Sequence, residues 1–197
     1  MKTSDDSLVW YVAYGSNVLA RRFLLYIRGA SDDSIGKHHG ARDSTPPRDD
    51  CPITIAHDLY FAGHSKRWGG PVAFLELEPR FGVATPGRAY LVTASQLEDV
   101  VAQENGLRQM SEPFGIPTNG SIEVVPVNGK YNAIIGLPDI DGVPALTLST
   151  DRDLPRSPPT REYLATMNEG LAECSRERRV GRTEFGTTNQ RAGHSGS

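Results

Sequence analysis

At 197 residues and a formal net charge of -3, the chain has the length of one ordinary domain and lacks the basic excess that marks a nucleic-acid footprint. No apolar run approaches the roughly 18 residues of a membrane span, and the opening MKTSDDSLVW is too acidic and too poor in apolar residues for a secretory signal. A cytoplasmic protein is expected, without membrane or nucleic-acid partners. Cys51 and Cys174 have no metal-ligand spacing and suggest no disulfide framework.

In chain order, Leu8 to Tyr14 is a β-branched and aromatic run suited to a buried strand. It leads into Tyr14-Gly15-Ser16-Asn17 and then into residues 18–28, where apolar side chains at 19, 23, 26 and 27 predict a helix stopped by Gly29. The tetrapeptide has two readings. Gly-Ser-Asn is ordinary turn chemistry, with Asn17 as helix N-cap. Alternatively, a strand-to-helix turn aims unpaired backbone N–H groups at an oxyanion or a carboxylate.

Residues 30–52 are polar, carry two prolines and show no periodicity. A loop of that length is expected to have a task, such as a lid or an anion contact through Arg42, Arg48, His38 and His39. Adjacent His38 and His39 are poor candidates for one metal ion. Three strands are expected within 52–63, 70–79 and 84–93. The first two are separated by Ser65 to Gly70, where Trp68 precedes Gly69 and Gly70. These glycines suit a close backbone approach or a plain hairpin.

A helix is expected over 95–105, with Ser95 and Glu98 as a capping box and Gly106 as its stop. Leu97, Val100 and Val101 form one apolar stripe, and Glu104 falls in its middle while Glu98, Asp99 and Gln103 point elsewhere. A carboxylate on a buried face is costly unless it is paired or its pKa rises, and a raised carboxyl suits general acid–base work. The alternative is that Glu104 snorkels out or pairs with Arg88 or Arg108. Further strands are expected over 121–127, 130–137 and 143–149. A last helix follows Pro158 and Pro159, with Leu164, Met167, Leu171 and Cys174 on one face. One domain is therefore expected over 8–175, and the polar residues 176–197 are expected to be disordered.

Taken together, YVAYGSN at 11–17, SKRWGGPVAF at 65–74, GRAYLV at 87–92, VVAQENG at 100–106 and SPPTREYLATMNEGL at 157–171 resemble the gamma-glutamylcyclotransferase-like family over about residues 9–175. The resemblance implies an α+β fold, a small mixed β-barrel-like sheet with flanking helices. It implies a small-molecule substrate bearing a gamma-glutamyl or related acyl amide. The substrate's α-amine would attack its own γ-carbonyl, closing 5-oxoproline and releasing an amine. Tyr14, Gly15, Ser16 and Asn17 would bind the glutamyl carboxylate or the oxyanion, with Trp68, Gly69 and Gly70 on the rim. Glu104 would shuttle the proton, and no cofactor or metal is implied. Val18 and Pro71 depart from the family pattern, and Pro71 would reshape the rim.

Two rivals use the same residues: hydrolysis or acyl transfer on another acyl amide, and a non-catalytic binding module. Ser16 as a nucleophile is disfavoured, since AYGSNV lacks the G-x-S-x-G elbow.

Overall fold

The computed structural model describes residues 6–30 and 38–186, with side chains to residue 176. In chain order it comprises β1 (Leu8–Ala13), a 3-10 turn (Ser16–Val18), α1 (Ala20–Arg28), β2 (Asp49–Ile55), β3 (Leu59–Ser65) and β4 (Gly70–Leu75). There follow β5 (Thr85–Thr93), α2 (Ala94–Glu104), β6 (Ile122–Val124), β7 (Ala133–Ile140), β8 (Val143–Ser149) and α3 (Arg161–Gly186).

The fold is mixed α+β, with a mainly β core and flanking helices. One sheet runs β2-β5-β1-β8-β7-β6, and β3 and β4 form a separate two-stranded sheet. The larger sheet is open, which corrects the expected barrel-like closure. Its edges β2 and β6 share no ladder, and β6, only three residues long, pairs with β7 alone. β1 is central, antiparallel to β5 and parallel to β8. Val9 to Ala13 are all buried, as in a strand covered on both faces. Among the described residues no helix is long and apolar enough to cross a membrane.

Several local expectations shift for physical reasons. The run expected as one strand over 52–63 breaks at Ala56-His57-Asp58 into β2 and β3. β2 already begins at Asp49, inside the expected loop. Of that loop, residues 31–37 lie outside the described residues. Residues 38–48 are fastened down: Ala41 donates to Ile27, and the Gln96 side chain donates to the carbonyls of Asp43 and Thr45. Arg42 pairs with both Asp99 and Glu98, each at 3.0 Å. This packing covers a second face of α2, so Asp99, expected to point away, is buried. The capping box forms from Thr93 and Gln96, because β5 ends at Thr93, two residues before Ser95, and α2 starts directly after it.

α3 runs on to Gly186, past its expected end, and residues 187–197 of the expected disordered tail lie outside the described residues. Its buried face is rotated from the expected one. Tyr163, Met167 and Cys174 are buried, whereas Leu164 is 38% exposed. Gly170 lies on that face, where a Cβ would come within 2.4 Å of the Leu19 backbone N and 2.6 Å of the Val18 carbonyl carbon. α3 therefore rests directly on the 3-10 turn, and only the missing side chain permits this approach.

Alanine is the better helix former by about 1 kcal/mol, yet Gly170→Ala should lower stability by about 1–3 kcal/mol because the facing backbone cannot yield as a side chain would. Gly115→Ala, with nothing within 4 Å of the added carbon, is the control and should leave thermal melting nearly unchanged. Equal melting temperatures for both variants would show that the turn can move.

Candidate functional site

β1 delivers the chain to Tyr14, whose hydroxyl donates to the Leu148 carbonyl of β8. The backbone then turns sharply: the Val18 N–H reaches the Gly15 carbonyl at 3.2 Å and the Leu19 N–H reaches that of Ser16 at 3.3 Å. Leu19, and not Asn17, stands at the start of α1, and no side chain caps that helix. This corrects the expected cap. Asn17 is buried, and its Nδ2 donates instead to Oε1 of Glu104, 2.7 Å away on α2. Gly29 ends α1 as expected, at φ 78°, its N–H on the Leu25 carbonyl.

Glu104 is the last residue of α2, where the helix dipole disfavours negative charge. Asn105 fastens the helix end, its side chain donating to Val101 and Tyr131 and accepting from the Tyr131 N–H. The Glu104 side chain lines a cavity of about 200 Å³. Burial holds its carboxyl above the ordinary glutamate range. Hydrogen bonds from Asn17 and Tyr26 and the charges of Arg22 and Lys130 partly oppose that shift. The result is a carboxyl group that is oriented yet reluctant to ionise. Arg88, one alternative partner, is occupied elsewhere, on Asp50 and Glu173.

Five of the chain's seven tyrosines line the cavity: Tyr11, Tyr14, Tyr26, Tyr131 and Tyr163. Burial raises the pKa of every one, so the wall is phenolic and neutral at pH 7. Tyr163, pushed up to about 12, comes from α3 and reaches the turn after β1. Its oxygen accepts the Ala73 N–H at 3.1 Å. A Cβ on Gly15 would lie 2.7 Å from that oxygen, so glycine is what admits the phenol.

Of the residues expected at the site, Tyr14, Gly15, Ser16, Asn17, Trp68 and Glu104 do surround one cavity. Gly69 and Gly70 do not line it. Gly69 is exposed with φ 61° and serves the β3–β4 turn, and Gly70 starts β4 beside Thr160. The sequence reading did not single out Arg22, Tyr26, Gln103, Lys130 or Tyr163. Gln103, expected to point away, lines the cavity beside Glu104. Their shared signal is chemical type at scattered positions, which only the fold collects. Among the described residues no three His, Cys, Asp or Glu side chains converge as a metal site.

No family model and no solved structure matches the chain. Histone deacetylase 5 of Arabidopsis thaliana is 32% identical over 188 residues, covering 85% of this chain and 28% of that protein. The chain thus spans little more than a quarter of the length of the relative it matches. The expected membership of the gamma-glutamylcyclotransferase-like family is corrected accordingly, since the similarity found is to a protein of another name and no family model supports it. The physical reason lies in the motifs. Tyr-Gly-Ser-Asn and Trp-Gly-Gly are short, and here each is accounted for locally, by a strand-to-helix turn and by a hairpin turn.

The Glu104 carboxyl titrates higher in the folded protein than in the unfolded chain, so the native state keeps its proton to higher pH. Its contribution to stability is intact below the ordinary glutamate pKa and is lost as pH rises through the raised, folded value. Glu104→Gln keeps an oxygen for Asn17 and removes that loss. The variant should melt no lower than the parent at pH 7, and any advantage should shrink toward pH 4. A lower melting temperature at pH 7 would show that the ionised carboxylate holds the fold together.

Proposed function

We propose that the cavity is a small-molecule active site in which Glu104 moves a proton during cleavage of a gamma-glutamyl or closely related amide. The substrate's α-amine attacks its own γ-carbonyl. A carbon–nitrogen bond closes 5-oxoproline, the original amide bond breaks, and the amine leaves. The ammonium must first lose a proton and the leaving nitrogen must gain one, so a single carboxyl group serves both steps. The reading rests chiefly on Glu104, a carboxyl group with a raised pKa, oriented by Asn17 at 2.7 Å and open to a cavity.

Two further features support it. The Tyr163 oxygen already accepts the Ala73 N–H, and its own proton is available to a developing oxyanion. An internal nucleophile also gains from proximity, since holding amine and carbonyl together lowers the barrier by about 7 kcal/mol or more in well-oriented systems. A second reading follows from the relative, which by its name deacetylates histones: the site would then hydrolyse an acyl amide with water.

Incubation with a panel of gamma-glutamyl amines and acetyl-lysine peptides in ¹⁸O-labelled water, followed by mass spectrometry, separates the readings. Unlabelled 5-oxoproline and free amine are expected, with no turnover when the α-amine is acetylated. Glu104→Gln should lose on the order of 10²–10⁴ in rate. Activity should fall on the acid side through a pKa above the ordinary glutamate value, because the protonated carboxyl cannot take the ammonium proton. Labelled glutamate or labelled acetate as the main product would replace cyclisation by hydrolysis, and an inert panel would leave a binding module.

A further inference from the structure

Arg22, on α1, is 8% exposed, lines the cavity, and has Nε and Nη1 buried without a hydrogen-bond partner among the described residues. Its guanidinium carbon lies 5.5 Å from the Trp68 ring centroid, and that of Arg67 lies 5.8 Å from the same centroid. Two guanidinium groups gathered at one ring repel each other, and among the described residues neither is paired with a carboxylate at ion-pair distance. Lys130 adds a third cation to the wall, and among the described residues Glu104 is its one carboxylate. Three cations facing one carboxyl group that burial makes reluctant to ionise leave the wall short of negative charge, and an entering anion relieves that shortage.

The acceptors left over complete the pattern. Asn17 Oδ1 and Gln103 Oε1 are buried without partners, and both residues line the cavity with Glu104. One region therefore lacks an anion, while the region around Glu104 lacks N–H donors. A ligand that satisfies both carries a carboxylate and an ammonium, as the head of a free α-amino acid does.

We propose that Arg22, with Arg67 beside it at Trp68, is an anion anchor that binds the free α-carboxylate of the substrate. The inference rests on the cyclisation reading and narrows its substrate class to amides whose glutamyl unit has a free α-carboxylate and a free α-amine. A glutamine or an acyl-lysine inside a peptide chain, where that carboxylate is itself an amide, is excluded. The carboxylate occupies the guanidinium donors while the α-amine faces Glu104 and the Asn17 oxygen. Arg22 thereby positions the nucleophile and takes no part in proton transfer.

The test is calorimetric binding of two probes that differ only in charge at one carbon, L-glutamine and its α-carboxamide, to the whole protein. The unmodified protein should bind L-glutamine about tenfold or more tightly than the carboxamide, as charge-assisted hydrogen bonds require. Arg22→Gln should abolish that preference, Arg22→Lys should restore part of it, and Arg67→Gln, an exposed change that spares the fold, should weaken it. Where cleavage is measurable, Arg22→Gln should raise KM far more than it lowers kcat. Equal binding of the two probes by the unmodified protein, or no binding of either, overturns the anchor without recourse to any variant. A preserved preference for the carboxylate with no 5-oxoproline formed would remove cyclisation and uphold the anchor.

Discussion

The site depends on the placement of one carboxyl group at the C-terminal end of α2, where both burial and the helix dipole oppose its charge. The Asn17 bond at 2.7 Å orients this group, and forming it has consequences through the fold. Asn17 is withdrawn from capping α1, so that helix begins at Leu19 with no side-chain cap. The turn that carries Asn17 is fixed in turn by Tyr90, whose hydroxyl donates to the Asn17 carbonyl at 2.8 Å. From the other side, Gly170 of α3 brings a second helix against the same backbone. Three elements distant in sequence thus converge on one short turn.

Tyr163 links this framework to the sheet of β3 and β4. Its oxygen accepts the Ala73 N–H and lies against Gly15, and its ring meets Trp68 edge-on at 5.0 Å between centroids. The cavity wall holds this phenol together with side-chain donors and acceptors that have no partner among the described residues. Recognition by side chains is the more selective arrangement, because each unsatisfied group names the chemistry it lacks. Guanidinium and carboxylate on one wall suit a zwitterion, and a neutral phenolic surround keeps their fields strong.

Much of the chain was legible by local rules. Strand β1, helix α1 with its Gly29 stop, and β8 follow from periodicity and punctuation. The 100° stripe of α2 located Glu104 without any family knowledge. Errors arose where a longer-range contact overruled a local preference. Asn17 is a good cap residue in isolation, but the cap position of α1 falls at Leu19 and the Asn17 side chain turns to Glu104 instead. Thr93 displaced Ser95 as cap because the end of β5 set where α2 could begin. Asp99 was expected only to point away from the apolar stripe, because Arg42, 57 positions earlier, has no signature in the helix pattern. The family resemblance failed in a similar way, since short turn motifs recur wherever a strand must enter a helix or a hairpin.

The sequence by itself determined which residues could carry chemistry at the end of β1 and on the buried stripe of α2. Those constraints act over three to seven residues and are set by backbone geometry. Only the tertiary structure decided that Arg22, Lys130 and Tyr163 share a cavity with Glu104, that Arg88 does not, and that the sheet stays open at β2 and β6. The physical reason is that burial, which shifts the carboxyl pKa and leaves the Arg22 guanidinium short of a partner among the described residues, is a property of the packed assembly. No spacing along the chain encodes how much water a side chain will lose.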